Sequence, residues 1–226
     1  MCFSASASFG SGVALGLIGI ATLRKASGNH QKAIAFFPVI FAVQQVAEGL
    51  VWLSMVNPDF HRWRDVSPYL FLTFSHIIWP VWMPFSILML ENARKRRDIL
   101  WLLFSSGLLL ATYHVYSLLF FRVNARIDQH HIRYIIGQPV WMRLPSNILY
   151  AAAAILPAFV SSARRMWWLG LFLLVAYLFA YVYFHPYIVS VWCYFAAFIS
   201  ILVYLVLNQL QNEANKNGIK GDHYPK

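Results

Sequence analysis

Four apolar segments of the chain each contain one ionisable side chain, and these side chains define the chemistry available. They are Glu48 in FAVQQVAEGLVWL, His76 in TFSHIIWP, His114 in ATYHVYS and Cys193 in SVWCYFAA. One carboxylate and two imidazoles can hold zinc with a water in the fourth position, and zinc makes that water a nucleophile at neutral pH. The same groups can relay protons or satisfy one another as buried polar groups. We predict Glu48, His76 and His114 as candidate metal ligands.

The glutamate belongs to a polar face of its segment. Gln44, Gln45 and Glu48 fall at i, i+1 and i+4, on one side of a helix. A charged side chain in the middle of a membrane costs about 2.5 to 3.5 kcal/mol on insertion scales, so this face should point into the protein. We expect a polar cavity around the candidate ligands, formed in addition by Gln44, Gln45, Ser75, Tyr113, Ser117, Ser190 and Cys193.

The composition places these side chains in a membrane protein. Apolar residues make up 60% of the chain and charged residues 12%, whereas soluble proteins have about 25% charged residues. Apolar blocks of about 20 residues recur and predict transmembrane helices. The formal net charge of +10 does not indicate nucleic-acid binding, because the basic residues cluster between the apolar blocks. We expect membrane lipids as partners, with anionic headgroups at the cytoplasmic face.

The blocks predict an all-α bundle of seven transmembrane helices over residues 1–208 and a polar tail, 209–226, that we expect to be disordered. The predicted spans are 7–23, 34–56, 68–90, 99–121, 145–163, 166–184 and 187–208. The fifth and sixth are short and closely joined, so five or six helices is an alternative count. Pro80 and Pro84 predict a kink in the third span, because each removes a backbone hydrogen bond. The long connection, residues 122–146, is expected to lie along the membrane interface.

The distribution of basic residues predicts the orientation of the bundle. Twelve of the 18 Lys and Arg residues lie in the first, third and fifth connections and the tail, and six lie on the opposite side. The richer side is cytoplasmic, which predicts an outside N-terminus and a cytoplasmic C-terminus. With a rise of ~1.5 Å per residue, the four ionisable groups then lie about 4 to 6 Å outward of their helix centres. The predicted cavity therefore opens toward the outer face.

Three motifs, MCFSASASF, VQQVAEGLVWL and SVWCYFAA, resemble in this order a family of small bacterial integral-membrane proteins, over most of the chain. This resemblance implies a multi-pass protein of the bacterial inner membrane and carries no known activity. At fold level, seven helices with an outside N-terminus are similar to the superfamily of alkaline ceramidases and progestin/adiponectin receptors. Those proteins are membrane hydrolases with zinc between the helices and have Ser-xxx-His and His-xxx-His motifs. Here Ser75 and His76 are adjacent, and the last span offers Cys193.

Three classes of function remain open on the sequence. The first is a membrane protein whose Glu/His cavity binds or transports a small molecule, a lipid or a proton. The second is a metal-dependent membrane hydrolase that acts on a lipid, with zinc as its cofactor. The third is a structural or assembly subunit of a membrane complex. Retinal bound as a Schiff base is excluded, because no predicted span contains a lysine.

Overall fold

The structure is a computed structural model that describes residues 4–128, 131–184, 187 and 195–221, with side chains in the last range described to residue 212. Within these residues, six helical segments are long and apolar enough to cross a membrane, and Ala196–Asn212 is a shorter apolar stretch. The chain is therefore a mostly helical, multi-pass membrane protein. The count of seven helices and the orientation remain predictions.

The helices follow the predicted spans, but the second and third predicted spans are each divided into shorter helices. They are α1 (Ala5–Lys25), α2 (Gly28–Ala35), α3 (Phe37–Val56), α4 (Ser67–Leu72), α5 (Trp79–Leu90), α6 (Arg94–Phe120), β1 (Val123–Asp128), β2 (His131–Ile136), α7 (Val140–Val160), α8 (Met166–Tyr183) and α9 (Ala196–Gly221). Phe36 separates α2 from α3. A 3-10 turn, Pro58–Trp63, precedes α4, and a π-helical turn, Thr73–Ile78, joins α4 to α5.

Pro80 explains why the third span is not one continuous α-helix. Proline lacks the N–H that would bond to the carbonyl group four residues earlier, which is that of His76, and its ring crowds that carbonyl. The backbone adopts π geometry over Thr73–Ile78, directly before this position. Single π turns inside helices are frequent at functional sites. Pro84 likewise removes the helical donor for the carbonyl group of Pro80.

Gly107 lets α6 approach α5 closely. A Cβ atom at this position would overlap the carbonyl oxygen of Pro80 and lie 2.9 Å from its carbonyl carbon. Because Pro84 has removed the usual donor for that oxygen, a Cα–H of Gly107 can contact it as a weak hydrogen bond. The contact lies four residues after His76 and seven residues before His114. Both histidines therefore project near the point where the two helices are closest.

A β-hairpin forms in the connection that we expected to lie along the membrane interface. Strands β1 and β2 are antiparallel, with Val123 opposite Ile136. Ile132 is fully buried, and the ring of Tyr134 stacks on that of Phe71 in α4 at a centroid distance of 4.7 Å. Alternate side chains of a strand point to one face, and here that face covers the helices. We call the hairpin's side of the bundle the hairpin end and the opposite side, with Arg94–Arg97, the basic end.

Glu91 joins two turns at the basic end. Its Oε1 atom accepts hydrogen bonds from the N–H groups of Asn92 (3.1 Å) and Ala93 (2.9 Å), and Oε2 accepts one from the N–H of Ser162 (2.6 Å). Burial alone would raise the pKa of the Glu91 carboxyl. The bonds from Ala93 and Ser162, together with the nearby Arg96 guanidinium, instead hold this pKa below its ordinary value.

Helix α9 continues into the tail that we expected to be disordered. It is helical as far as Gly221, in a segment rich in good helix formers such as Leu, Gln, Glu and Lys. The side chain of Gln209 accepts a hydrogen bond from the N–H of Arg165 (3.0 Å), and Gln211 donates one to the carbonyl group of Lys25. These contacts attach the start of the tail to α1 and to the N-terminal end of α8, and the expectation of disorder for the tail as a whole stays a prediction.

Candidate functional site

A cavity of about 80 Å³ lies among α3, the π turn, α5, α6, α7 and α8, and we call it the polar chamber. Its described lining residues are Gln44, Ser75, His76, Trp79, His114, Gln138, Ser146, Asn147, Tyr150 and Tyr177. Each carries a hydrogen-bonding group, and none of these described residues is Lys, Arg, Asp or Glu. Burying a charge without a paired opposite charge is costly. The polar chamber therefore suits an uncharged ligand.

His76 and His114 meet inside the polar chamber. Their ring centroids are 4.8 Å apart and their planes are at 88°, an edge-to-face arrangement. His76 lies in the π turn that precedes α5, and His114 lies in α6. The two histidines thus come from the two segments that meet at the contact between Pro80 and Gly107. The structure thus brings together two of the three residues that the sequence predicted as ligands.

Ser75 determines which nitrogen of His76 carries the hydrogen. Its Oγ atom lies 2.9 Å from Nδ1 of His76 and 3.4 Å from the carbonyl oxygen of Leu72. A hydroxyl group has one hydrogen. When it is donated to Leu72, Nδ1–H of His76 donates to Ser75 and Nε2 is an acceptor. When it is donated to Nδ1, the Nε2 atom carries the hydrogen and is a donor, so His76 can adapt to either kind of ligand group.

Two lining groups are buried without a hydrogen-bond partner among the described residues. They are Nδ1 of His114 and Oγ of Ser146, in side chains that are 4% and 3% exposed. A buried polar group without a partner costs about 1 to 3 kcal/mol, so native proteins generally satisfy such groups with water or a ligand. The polar chamber is large enough, since one water needs only about 10 to 15 Å³. These two atoms are therefore candidates for a hydrogen bond to a water or a ligand.

Two side-chain hydrogen bonds hold the walls of the polar chamber. Nε1 of Trp79 donates to Oε1 of Gln44 (2.6 Å), and the hydroxyl of Tyr113 donates to Oε1 of Gln138 (3.2 Å). Gln138 follows the end of β2 after one residue, so the second bond connects the base of the hairpin to α6. The walls are therefore formed before any ligand binds.

The predicted polar face of α3 divides between two sides of the helix. Gln44 lines the polar chamber, whereas Gln45 faces α1, with its Cβ atom 3.6 Å from the position that a Cβ on Gly12 would occupy. Successive helix positions differ by about 100° in direction, which explains the division. Glu48 and Ser117 are fully buried, and neither is among the described residues that line the polar chamber. The two histidines line the polar chamber, and Glu48 is not among its described lining residues.

The predicted zinc site receives no support from the arrangement of side chains. In the part of the chain that the structure describes, no three His, Cys, Asp or Glu residues are placed to hold a metal ion. His76 and His114 adjoin, but Glu48 does not line the polar chamber with them. Ser190 and Cys193 lie outside the described residues, and their place in the cavity stays a prediction.

Several lining residues were not predicted from the sequence. Ser146, Asn147 and Tyr150 fall at i, i+1 and i+4 in α7, the spacing that drew attention to the polar face of α3. This signal was available, but we compared only ionisable groups between spans. Gln138 gave no such signal, because its position depends on the hairpin. Tyr177 resembles the other aromatic residues of α8 and gave none either.

Comparison with known proteins gives a family but no activity. A family model described as a family of unknown function, DUF6629, matches residues 1–217. Neither the curated proteins nor the solved structures provide a match. The expected similarity to alkaline ceramidases and progestin/adiponectin receptors therefore has no relative to support it. The family model covers every element from α1 to the greater part of α9, and the chain belongs to the DUF6629 family.

Proposed function

We propose that this protein binds a small, uncharged, hydrogen-bonding molecule in the polar chamber. The observation that supports this function is that His114 and Ser146 line the polar chamber, while Nδ1 of His114 and Oγ of Ser146 are buried without a hydrogen-bond partner among the described residues. A neutral imidazole and a hydroxyl can each donate or accept a hydrogen bond. A ligand with both a donor and an acceptor, such as an amide or an alcohol, matches them.

Polar side chains in membrane bundles often serve only to hold helices together. In that role they form hydrogen bonds across helix interfaces, worth about 0.6 to 2 kcal/mol each. Trp79 with Gln44 and Tyr113 with Gln138 have this arrangement. His114 and Ser146 differ, because both residues line a cavity and their Nδ1 and Oγ atoms have no hydrogen-bond partner among the described residues. This difference favours ligand binding over a purely structural role.

Three nearly isosteric probes test both binding and the preference for an uncharged ligand. Acetamide is neutral, acetate is an anion and acetamidinium is a cation. Each is titrated into the detergent-solubilised protein labelled with ¹⁵N-histidine, and the imidazole resonances are followed by NMR. We expect acetamide to shift the resonances of His76 and His114 saturably, with a Kd on the order of 1 mM for four non-hydrogen atoms at about 1 kcal/mol each. Acetate and acetamidinium should leave them unshifted.

Variants connect the response to the polar chamber. His114→Leu and Ser146→Ala should each weaken acetamide binding at least tenfold. Ser106→Ala is the matched control on α6, because the hydroxyl of Ser106 bonds to the carbonyl group of Leu103 in its own helix. A wild-type protein whose histidine resonances do not respond to acetamide would overturn the proposal. So would equal binding of all three probes, or a response that both chamber variants retain.

A further inference from the structure

A second cavity, of about 20 Å³, adjoins the polar chamber, and we call it the apolar chamber. Its described lining residues are Phe37, Phe41, Trp79, Met83, Tyr150, Ala154, Leu173 and Ile199. Trp79 and Tyr150 line both chambers. The two cavities therefore adjoin at these two aromatic side chains, and the second lies on the side of the first toward the basic end.

The lining of the apolar chamber determines what can occupy it. A buried water needs two to four polar partners, whereas six of the eight described lining residues are purely hydrocarbon or thioether side chains. Protein interiors are otherwise close-packed, with few voids larger than a water molecule. A hydrocarbon group fits this lining, because it needs no hydrogen bonds and recovers the dispersion contacts that an empty space forfeits.

Trp79 and Tyr150 form the boundary that the two chambers share. Trp79 is 6% exposed, donates to Gln44 and packs on Phe41 at a ring-centroid distance of 4.1 Å. Tyr150 is only half-buried, and its ring centroid lies 6.5 Å from that of His76. A path from the histidine pair to the apolar chamber therefore passes beside Tyr150.

We infer that the ligand is an amphiphile with an uncharged polar end and a short alkyl end. This inference depends on the proposed function, since it places the polar end at His114 and Ser146. The alkyl end passes between Trp79 and Tyr150 into the apolar chamber, against Ala154 and Leu173. The small volume of that chamber accommodates the end of a chain of a few carbons. The ligand class is thus a primary amide or alcohol with a short chain, either free or as part of a larger lipid.

A homologous series of linear primary amides, from acetamide to hexanamide, tests the inference. Affinity is measured by the same histidine NMR titration. The free amide concentration is determined by equilibrium dialysis, which corrects for the amide that partitions into micelles. Burial of a methylene group increases affinity about fourfold. We expect this gain for the first added carbons and a plateau once the apolar chamber is filled.

Two leucine variants of α7 show where the chain lies. Ala154→Leu fills the apolar chamber and should return the longer amides to the affinity of acetamide. Ala152→Leu, a half-buried position that lines neither chamber, is the matched control and should keep the gain. Leu173→Ala enlarges the apolar chamber and should move the plateau to a longer chain.

The possible results separate this inference from the proposed function. If acetamide binds but longer amides bind no better, the inference fails and the proposed function stands. The inference also fails if the affinity for the amides increases equally with alkyl-chain length in the wild type, Ala154→Leu and Ala152→Leu. The alkyl chain would then lie outside the apolar chamber. If acetamide does not bind at all, the proposed function fails with it.

Discussion

Two buried polar regions among the described residues, around Glu91 and in the polar chamber, differ in how their hydrogen bonds are satisfied. At the basic end, both carboxylate oxygens of Glu91 accept hydrogen bonds from backbone N–H groups. In the polar chamber, Nδ1 of His114 and Oγ of Ser146 have no partner among the described residues. Both regions are almost inaccessible, since Glu91 is 1% and His114 4% exposed. Burial alone therefore does not distinguish a structural group from a binding group.

The role of a buried polar atom is therefore inferred from its partners together with the cavity that its residue lines. A carboxylate whose bonds are all made within the protein holds the protein together. We expect an unbonded imidazole nitrogen in a cavity-lining residue to be available to a ligand. Substitutions should accordingly have opposite consequences in the two regions, with a loss of stability at Glu91 and a loss of binding at His114.

The largest effect is expected where packing creates the polar chamber. Gly107→Ala should lower the free energy of unfolding by about 3 kcal/mol, at the upper end of the cost of overpacking, because its Cβ would overlap the backbone of Pro80. Reversible unfolding in mixed detergent micelles measures this loss. Gly10→Ala is the control, since a Cβ there has nothing within 4 Å. Equal stability of the two variants would show that the close approach does not constrain the helices.

The next largest effect concerns Glu91. Glu91→Gln should destabilise the protein by about 2 kcal/mol, because hydrogen bonds to a charged group are worth about 1.5 to 3 kcal/mol and the amide –NH₂ cannot accept from a backbone N–H. The same unfolding experiment applies. Asp98→Asn, at an exposed position of α6, should change stability by less than about 0.5 kcal/mol. If Glu91→Gln lowers the free energy of unfolding no more than Asp98→Asn does, Glu91 does not stabilise the fold.

Acid should remove part of the contribution of Glu91. Because the pKa of Glu91 in the folded protein lies below its ordinary value of 4.5, its stabilising effect is complete above that value. The effect is lost as the pH falls through the folded pKa. The difference in unfolding free energy between wild type and Glu91→Gln should therefore narrow as the pH falls below 4.5. A constant difference across this range would mean that the carboxylate charge is not responsible.

The smallest change in stability is expected at the ligand site. His114→Leu should change the free energy of unfolding by less than about 1 kcal/mol. The change can be an increase, because replacing an unsatisfied buried polar group by an apolar one can stabilise a protein. Binding of acetamide should nevertheless be lost. A destabilisation above about 2 kcal/mol would mean that His114 stabilises the fold, as Glu91 does. The contrast between the two regions would then disappear.

The sequence predicted the helices well, because apolar length is a strong signal in a membrane protein. Six of the predicted spans correspond to long apolar helices among the described residues. The hairpin was missed because its strands are only six residues long. The disorder expected for the tail stays a prediction, although Gln209 and Gln211 bond to Arg165 and Lys25, which are remote in the sequence.

The candidate site stays a prediction, although two of its residues adjoin in the structure. Estimated depth placed His76 and His114 at a similar level, and their ring centroids lie 4.8 Å apart. Gln45 and Glu48 were grouped with Gln44 by their i, i+1, i+4 spacing, and neither is among the described residues that line the polar chamber. The contact between Gly107 and Pro80 cannot be recognised from either residue alone.

The π turn has a consequence for how the third span tolerates insertions and deletions. Such a turn contains one residue more than a regular α-helical turn would need, and one residue corresponds to about 100° of rotation. Removing one residue from Thr73–Ile78 would make the backbone regular but rotate Phe71 away from Tyr134 relative to Trp79. The extra residue thus changes the direction of the side chains between the two halves of the span. Phe71 in α4 therefore packs on the hairpin, while Trp79 in α5 lines the cavities.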